Sequence, residues 1–230
     1  MNLTASMLNS DIVKAYGSAA GASVIGIASS DDFDLAPEGF RPTDIMKECV
    51  SVIVLGSAFP EDAFSKTPAE YIEIRNMTNR KISDIAEDME KRIRKDGYKA
   101  RSVSGINGKW VNGMQVGSIS LKHAAELAGL GIIGKNYLLI NREHGTLLWF
   151  SAVLTDAYLI PDEKVKYSIC NECSKCVESC PTNALDDIST FKKKECAGKM
   201  FRMANKKWEI QCCLCRKICP HRFGIIDSER

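Results

Sequence analysis

Cys170 to Leu185 reads CNECSKCVESCPTNAL, which places Cys170, Cys173, Cys176 and Cys180 at the spacing CxxCxxCxxxCP. That is the spacing of the bacterial ferredoxin run. Three thiolates close in sequence wrap three irons of one 4Fe-4S cubane, while the fourth, turned away by Pro181, serves a second cubane. Zinc sites usually pair two CxxC units and do not use this triple spacing. The stretch QCCLCRKICP, Gln211 to Pro220, supplies only CxxCxxxCP from Cys212, Cys215 and Cys219. One ligand must come from elsewhere, and Cys196 in KKKECAGKM is the unassigned cysteine nearby. The crossed pattern then predicts one cluster on Cys170, Cys173, Cys176 and Cys219, and another on Cys180, Cys196, Cys212 and Cys215. Cys213 is surplus, and Cys49, ahead of an apolar strand, reads as a small core residue.

Working outward, nine of the ten cysteines lie between Cys170 and Cys219, a distribution that favours metal over disulfides in a chain with no export signal. The N-terminal MNLTASMLNSDIVKAYG has no basic leader followed by an apolar core. The longest apolar runs, CVSVIVLGSAF and LLWFSAVL, fall short of the ~20 residues that cross a bilayer. A cytoplasmic, soluble protein with no membrane partner is expected. At 230 residues and 45% hydrophobic content the chain can bury a real core, and a net charge of +2 gives no reason to invoke nucleic acid. Lys192 to Lys207 holds six lysines and Arg202 against Glu195 alone. A solvated face that offsets the charge of the clusters is the expectation for that run.

Before the cysteines, helical and extended patterns alternate, which predicts an α+β protein: an α/β domain over residues 1–161, then a ferredoxin-like two-cluster module over 162–230. Leu8 to Ala22 is a predicted helix, SVIGIA and VSVIVLG are strands, and TDIMKE is a helical turn. The clearest helix starts at Thr67, where TPAE supplies an N-cap, Pro68 at the first position and Glu70 for a capping box. Ile82, Ile85, Met89 and Ile93 form its apolar stripe, and Gly97 its C-terminal cap. SLKHAAELAG is a further helix, and YLLINREHGTLLWFSAVLTD is read as two extended runs joined by a turn at Glu143 to Gly145, a hairpin.

GLGIIGK, Gly129 to Lys135, matches GxGxxG, but a helix precedes it and extended residues follow, the reverse of a dinucleotide-binding turn. Two alternatives stand: a helix exit into a strand, or a loop whose missing side chains admit a bulky cofactor to the backbone.

The order of AELAGLGIIGKNYLLINREHGTLLWFSAVLTD, CNECSKCVESCPTNAL, the lone Cys196 and CCLCRKICP resembles the epoxyqueuosine reductase family, which is related to the reductive dehalogenases. The resemblance implies a nitroreductase-like cobalamin-binding domain fed with electrons by two 4Fe-4S clusters, with FMN as the alternative cofactor of that fold class. It supports Cys196 as a ligand and implies that Gly129, Gly131, Gly134, Lys135 and Asn136 contact the cofactor. An oxygen-sensitive oxidoreductase is expected, drawing on a ferredoxin or flavodoxin. The alternative is a ferredoxin-like carrier that reduces a separate corrinoid or flavin protein. Two departures stand out. Counting back from Gly129 without gaps puts Gln115 at the place of the family's acid, which leaves Tyr137 as a candidate proton donor, and the chain runs only eleven residues past Cys219, without the C-terminal domain of many members.

Overall fold

In the computed structural model the described residues are 8–105, 108–111, 114–186, 190–204 and 207–225. Helix α1 (Ser10–Ala19) opens the fold, with the Asn9 side chain accepting from the Ile12 amide at 3.0 Å. It is shorter than the predicted 8–22 because Ala20 caps it and Gly21 turns the chain at φ +91°. Strand β1 (Val24–Ser29), the short α2 (Pro42–Ile45) and strand β2 (Ser51–Ala58) follow.

Helix α3 (Pro68–Lys95) is the longest element, 28 residues. Thr67 and Glu70 form the expected capping box, in which the Thr67 amide donates to the Glu70 carboxylate at 2.9 Å. At the other end Gly97 takes φ +92°, the Tyr98 amide donates to the Ile93 carbonyl and the Gly97 amide to that of Arg94, the paired bonds of a glycine-capped exit. Beyond lie β3 (Ala100–Ser104), the pair β4 (Lys109–Val111) and β5 (Met114–Val116), and α4 (Leu121–Leu127).

Two-residue strands β6 (Ile132–Ile133) and β7 (Leu139–Ile140) pair with each other, and β8 (Leu148–Thr155) joins the main sheet. This corrects the hairpin expectation. A turn is present, closed by the bridge between Asn141 and Gly145, but β8 takes β2 and β3 as partners, because its apolar run is buried between two strands.

The main sheet is antiparallel throughout, in the order β1-β2-β8-β3. Alternation along β2 sends Val52 and Val54 to one face and Ile53 and Leu55 to the other. The second face is covered by α1 and by the stripe Ile82, Ile85, Met89 and Ile93 of α3, and the first by Ala124 and Ala125 of α4. Both faces being dry, β2 reads as a continuous apolar run, and each fully buried Val, Ile or Leu contributes ~1.5–3 kcal/mol.

After β8 the chain stays on the sheet. The Asp162 carboxylate accepts from the Ile27 amide at 2.9 Å and its own amide donates to the Ile27 carbonyl at 2.8 Å. The cysteine-rich part then forms α5 (Lys175–Glu178), α6 (Lys193–Met200), the antiparallel pair β9 (Phe201–Ala204) and β10 (Lys207–Ile210), and α7 (Leu214–Lys217). A third apolar cluster, with Phe59, Tyr71, Ile72 and Ile210, joins the start of α3 to this part. Among the described residues no helix is long and apolar enough to cross a membrane.

Candidate iron-sulfur centres

The predicted cysteines collect around two cavities. A small one, about 10 Å³, is lined by Cys170, Cys173, Cys176 and Cys219. A cleft of about 340 Å³ is lined by Cys180, Cys196, Cys212 and Cys215, with Cys213 also on its wall. Residues far apart in sequence thus come together, four cysteines around the first cavity and five around the second. Helices α5 and α7 turn the chain at the two CxxC segments and bring Cys176 and Cys215 inward. Among the described residues no three His, Cys, Asp or Glu side chains gather as they would around a single metal ion.

The thiols are held at a cost to their ionisation. Burial pushes Cys215 up to about 12, with Cys196, Cys212 and Cys176 adding to the rise and Arg216 opposing it. Burial likewise pushes Cys219 up to about 11, aided by Cys170, Cys176 and Cys173. Iron takes thiolates, so loading either set releases protons.

The glycine loop between α4 and β7 serves the first set. Lys135 Nζ donates to the carbonyls of Asn171 at 3.0 Å and Cys173 at 2.9 Å, which pins the segment carrying Cys170 and Cys173. Asn136, buried, lies on the walls of both cavities and donates from Nδ2 to the Cys215 carbonyl at 3.4 Å. A Cβ on Gly129, which has φ +71°, would lie 2.4 Å from the Glu163 carbonyl oxygen; one on Gly131 would lie 2.4 Å from that of Ile140. At Gly134 a Cβ would sit 3.4 Å from Cys170 Sγ. Gly134 thus leaves room for Cys170, whereas Gly129 and Gly131 are packed against the backbone of Glu163 and Ile140.

Tyr137 does not line the cleft. It adopts φ +56°, its ring stacks on Phe191 at 4.9 Å, and its carbonyl accepts from Lys122 Nζ. Phe191 and Lys122 are on the cleft wall. The Gln115 side chain lies outside the described residues.

The cations at the cleft differ from those the sequence points to. Helix α6 buries none of its residues, so its lysines face solvent, although Lys199 also borders the cleft. The inward cations are Arg75 of α3, Lys122 of α4 and Arg216 of α7. Arg216 is 9% exposed, lies 4.1 Å over the Trp149 ring and donates to the Thr146 carbonyl. Arg75 is 5.7 Å over the Phe201 ring. Lys122 is pulled down to about 8, by burial first and then by the Arg216 charge. Sequence reasoning missed all three, although Arg216 directly follows a cluster cysteine and Lys122 sits two turns before the glycine loop.

Cys213 shares a hydrogen bond with Tyr71, whose phenol burial pushes up to about 12. Cys49 is 4% exposed in the sheet core, and burial raises it to about 11.

Residues 163–186 match the family model of a 4Fe-4S binding domain. The chain is 25% identical over 210 residues to the epoxyqueuosine reductase of Lactococcus garvieae, covering 82% of itself and 56% of that protein. An epoxyqueuosine reductase solved with an epoxyqueuosine-modified tRNA stem loop superposes with a TM-score of 0.66 at 18% identity, over 94% of this chain and 66% of that one. A catabolic reductive dehalogenase solved with 3-bromo-4-hydroxybenzoic acid gives a TM-score of 0.62 at 21% identity, over 86% and 27%. The chain spans between about half and two thirds of the length of the reductases it matches.

Proposed function

We propose that this chain, a relative of the epoxyqueuosine reductases in sequence and in fold, is an iron-sulfur oxidoreductase that carries electrons through two 4Fe-4S clusters to an acceptor at the cleft. The observation that carries the proposal is the pair of cavities, each lined by one of the two thiol sets. The donor chemistry fits: four thiols in each set, and at the cleft three inward cations facing a site where four thiolates would gather charge.

In this reading residues 162–230 hold the clusters and residues 1–161, nitroreductase-like, supply the cofactor-binding wall. Lys135 and Asn136 hold the first thiol set against the scaffold and, through the Cys215 carbonyl, against the second. Arg216 keeps its charge beside the second set, and Phe191, Trp149 and Phe150 exclude water from the cleft. Tyr137, stacked on Phe191, is the proposed proton donor. The electron donor is of the ferredoxin or flavodoxin kind, the compartment is the cytoplasm, and no nucleic-acid partner is included.

Cobalamin, the cofactor the resemblance implies, would supply a low-potential metal for reductive chemistry. The fit here is partial. Asn136 borders the cleft, but Gly129 and Gly131 are closed over by the backbone of Glu163 and Ile140, and about 340 Å³ is at the low end of ~300–1,000 Å³ small-molecule sites. FMN is the smaller alternative. A second reading, a carrier that reduces a separate corrinoid or flavin protein, is favoured by the ungapped count back from Gly129, which puts Gln115 at the place of the acid that the resemblance implies.

Anaerobic reconstitution followed by cob(II)alamin titration under EPR tests both levels. About eight irons per chain and a base-off Co(II) signal are expected. Fewer than two clusters would sink the electron path, whereas two clusters with an unchanged cobalt signal would leave the carrier or flavin reading.

A further inference from the structure

Arg216 is a buried charge without a carboxylate. It is 9% exposed, and among the described residues it forms no ion pair with an aspartate or glutamate. A guanidinium has five N–H donors, and the described residues give it one hydrogen bond, to the Thr146 carbonyl, together with the face of Trp149 at 4.1 Å. The ionisable groups that act on it are the Tyr71 phenol and the thiols of Cys215 and Cys213. Such a charge is strongly destabilising unless an anion meets it. The anion its surroundings can supply is the second thiol set once deprotonated, because Arg216 directly follows Cys215 and shares the cleft wall with all four of those cysteines.

The first set is bordered differently. Lys135 is half-buried and its Nζ donates to the carbonyls of Asn171 and Cys173, Lys175 is exposed, and His221 closes another side. Water screens an exposed ammonium, whereas a guanidinium out of water acts with little screening on what lies beside it. Arg75 and Lys122 add the same sign at the second set. Net charge, hydrogen bonds to sulfur and solvent exposure set the potential of a cluster. A fixed positive charge favours the reduced state, which is the more negative one.

Resting on the two-cluster reading above, we infer that Arg216 is the counter-charge of the second cluster and holds its reduction potential above that of the first. One electron then passes from the reduced first cluster, which is oxidised, to the second, which is reduced, and no proton is required. The order of potentials runs from the sealed set toward the cleft. Arg216 touches no substrate in this role and acts through the cluster.

The test is anaerobic reductive titration of the iron-reconstituted full chain, followed by EPR. Cys219→Ala, which keeps the second set whole, identifies that cluster's signal. In the unaltered chain the second cluster should reduce first. Arg216→Met should shift the partition of the electron toward the first cluster at least tenfold, about 59 mV in a one-electron couple, and Arg216→Lys, which keeps the charge, should shift it less. Denaturant midpoints separate this role from a structural one: Arg216→Met should leave the midpoint of the iron-free chain unchanged or raised, because an unpaired buried charge is gone, and lower that of the loaded chain. Two clusters of which the first reduces first, or a partition that Arg216→Met does not move, overturn the inference and leave the two clusters standing. A midpoint lowered equally with and without iron makes Arg216 a strut for Thr146 and Trp149, and overturns it too. A chain that assembles one cluster alone removes the electron path, and the inference goes with it. The order in the unaltered chain decides even where a variant fails to load.

Discussion

One thiol set is sealed and the other stands at the edge of a cleft, although the same ligand chemistry lines both. The difference comes from what the scaffold presents. Towards Cys170 and Cys173 it offers Gly134, where a Cβ would sit 3.4 Å from Cys170 Sγ, and Lys135, which reaches the Asn171 and Cys173 carbonyls, so little space remains. Towards Cys196, Cys212 and Cys215 it offers Arg75, Lys122 and Trp149, long side chains from α3, α4 and β8 that stand apart. Enclosure is therefore a property of the scaffold face, and room for a ligand follows from side chains that fail to interdigitate.

Removing one thiol from either set puts the comparison under the greatest strain. Cys219→Ala and Cys215→Ala should each take iron from about eight to about four per chain, while Cys213→Ser should keep the full content; iron loss in the Cys213 variant would reverse the assignment of ligand and bystander.

A smaller effect is expected at Gly129→Ala, where φ +71° and the Glu163 oxygen at 2.4 Å both resist a side chain. The cost is ~1–3 kcal/mol, read as a lower midpoint in anaerobic denaturation, with the sealed set losing iron first. If the open set loses iron first, the loop does not belong to the sealed one.

The iron-free chain should lose stability as pH rises above about 9. Folded Cys215 and Cys219 keep their protons to about 12 and about 11 against a starting value of 9.0, so the unfolded chain sheds protons first. Buried Cys49 acts in the same direction, whereas Lys122, held near 8, and Cys180, whose thiol is lowered, against burial, by hydrogen bonds to the Thr182 backbone and side chain, act in the other. Denaturant midpoints at pH 7.5 and 10 decide it, and a midpoint that rises would show that burial of the thiols is not what sets the balance.

Thr67→Ala, exposed and off the cleft wall, should cost about 1 kcal/mol through the lost cap and leave iron content untouched. A drop in iron would mean that the start of α3 supports the cleft directly.

Much of this was legible because its causes are local. The Thr67 box, the stripe Ile82, Ile85, Met89 and Ile93, and the Gly97 exit each follow from residues within a few turns of one another. The cysteine spacings are equally local, and the two sets they predict do line two cavities. Strand pairing was misjudged where it depends on distant partners: β8 looks like the second arm of a hairpin until β2 and β3 take both its edges. The inward cations were hidden for the same reason. Nothing near Arg75 or Lys122 in sequence says that a cysteine segment a long way downstream will fold over them, whereas the conspicuous lysines of α6 stay in water.

Cys219 completes a set whose other members lie at 170–176, and between them the chain must pass through Cys180, Cys196, Cys212 and Cys215 of the other. The far end of the interval is tied to the turn before β8 by two backbone bonds: the Thr146 amide donates to the Arg222 carbonyl and the Ile225 amide to that of Arg142. The sets are threaded through each other, so during synthesis the second cannot be finished until residue 215 has left the ribosome, nor the first until residue 219 has. Assembly is then a late event on a scaffold already folded, and the cell must keep nine neighbouring thiols reduced and unmetallated until that moment.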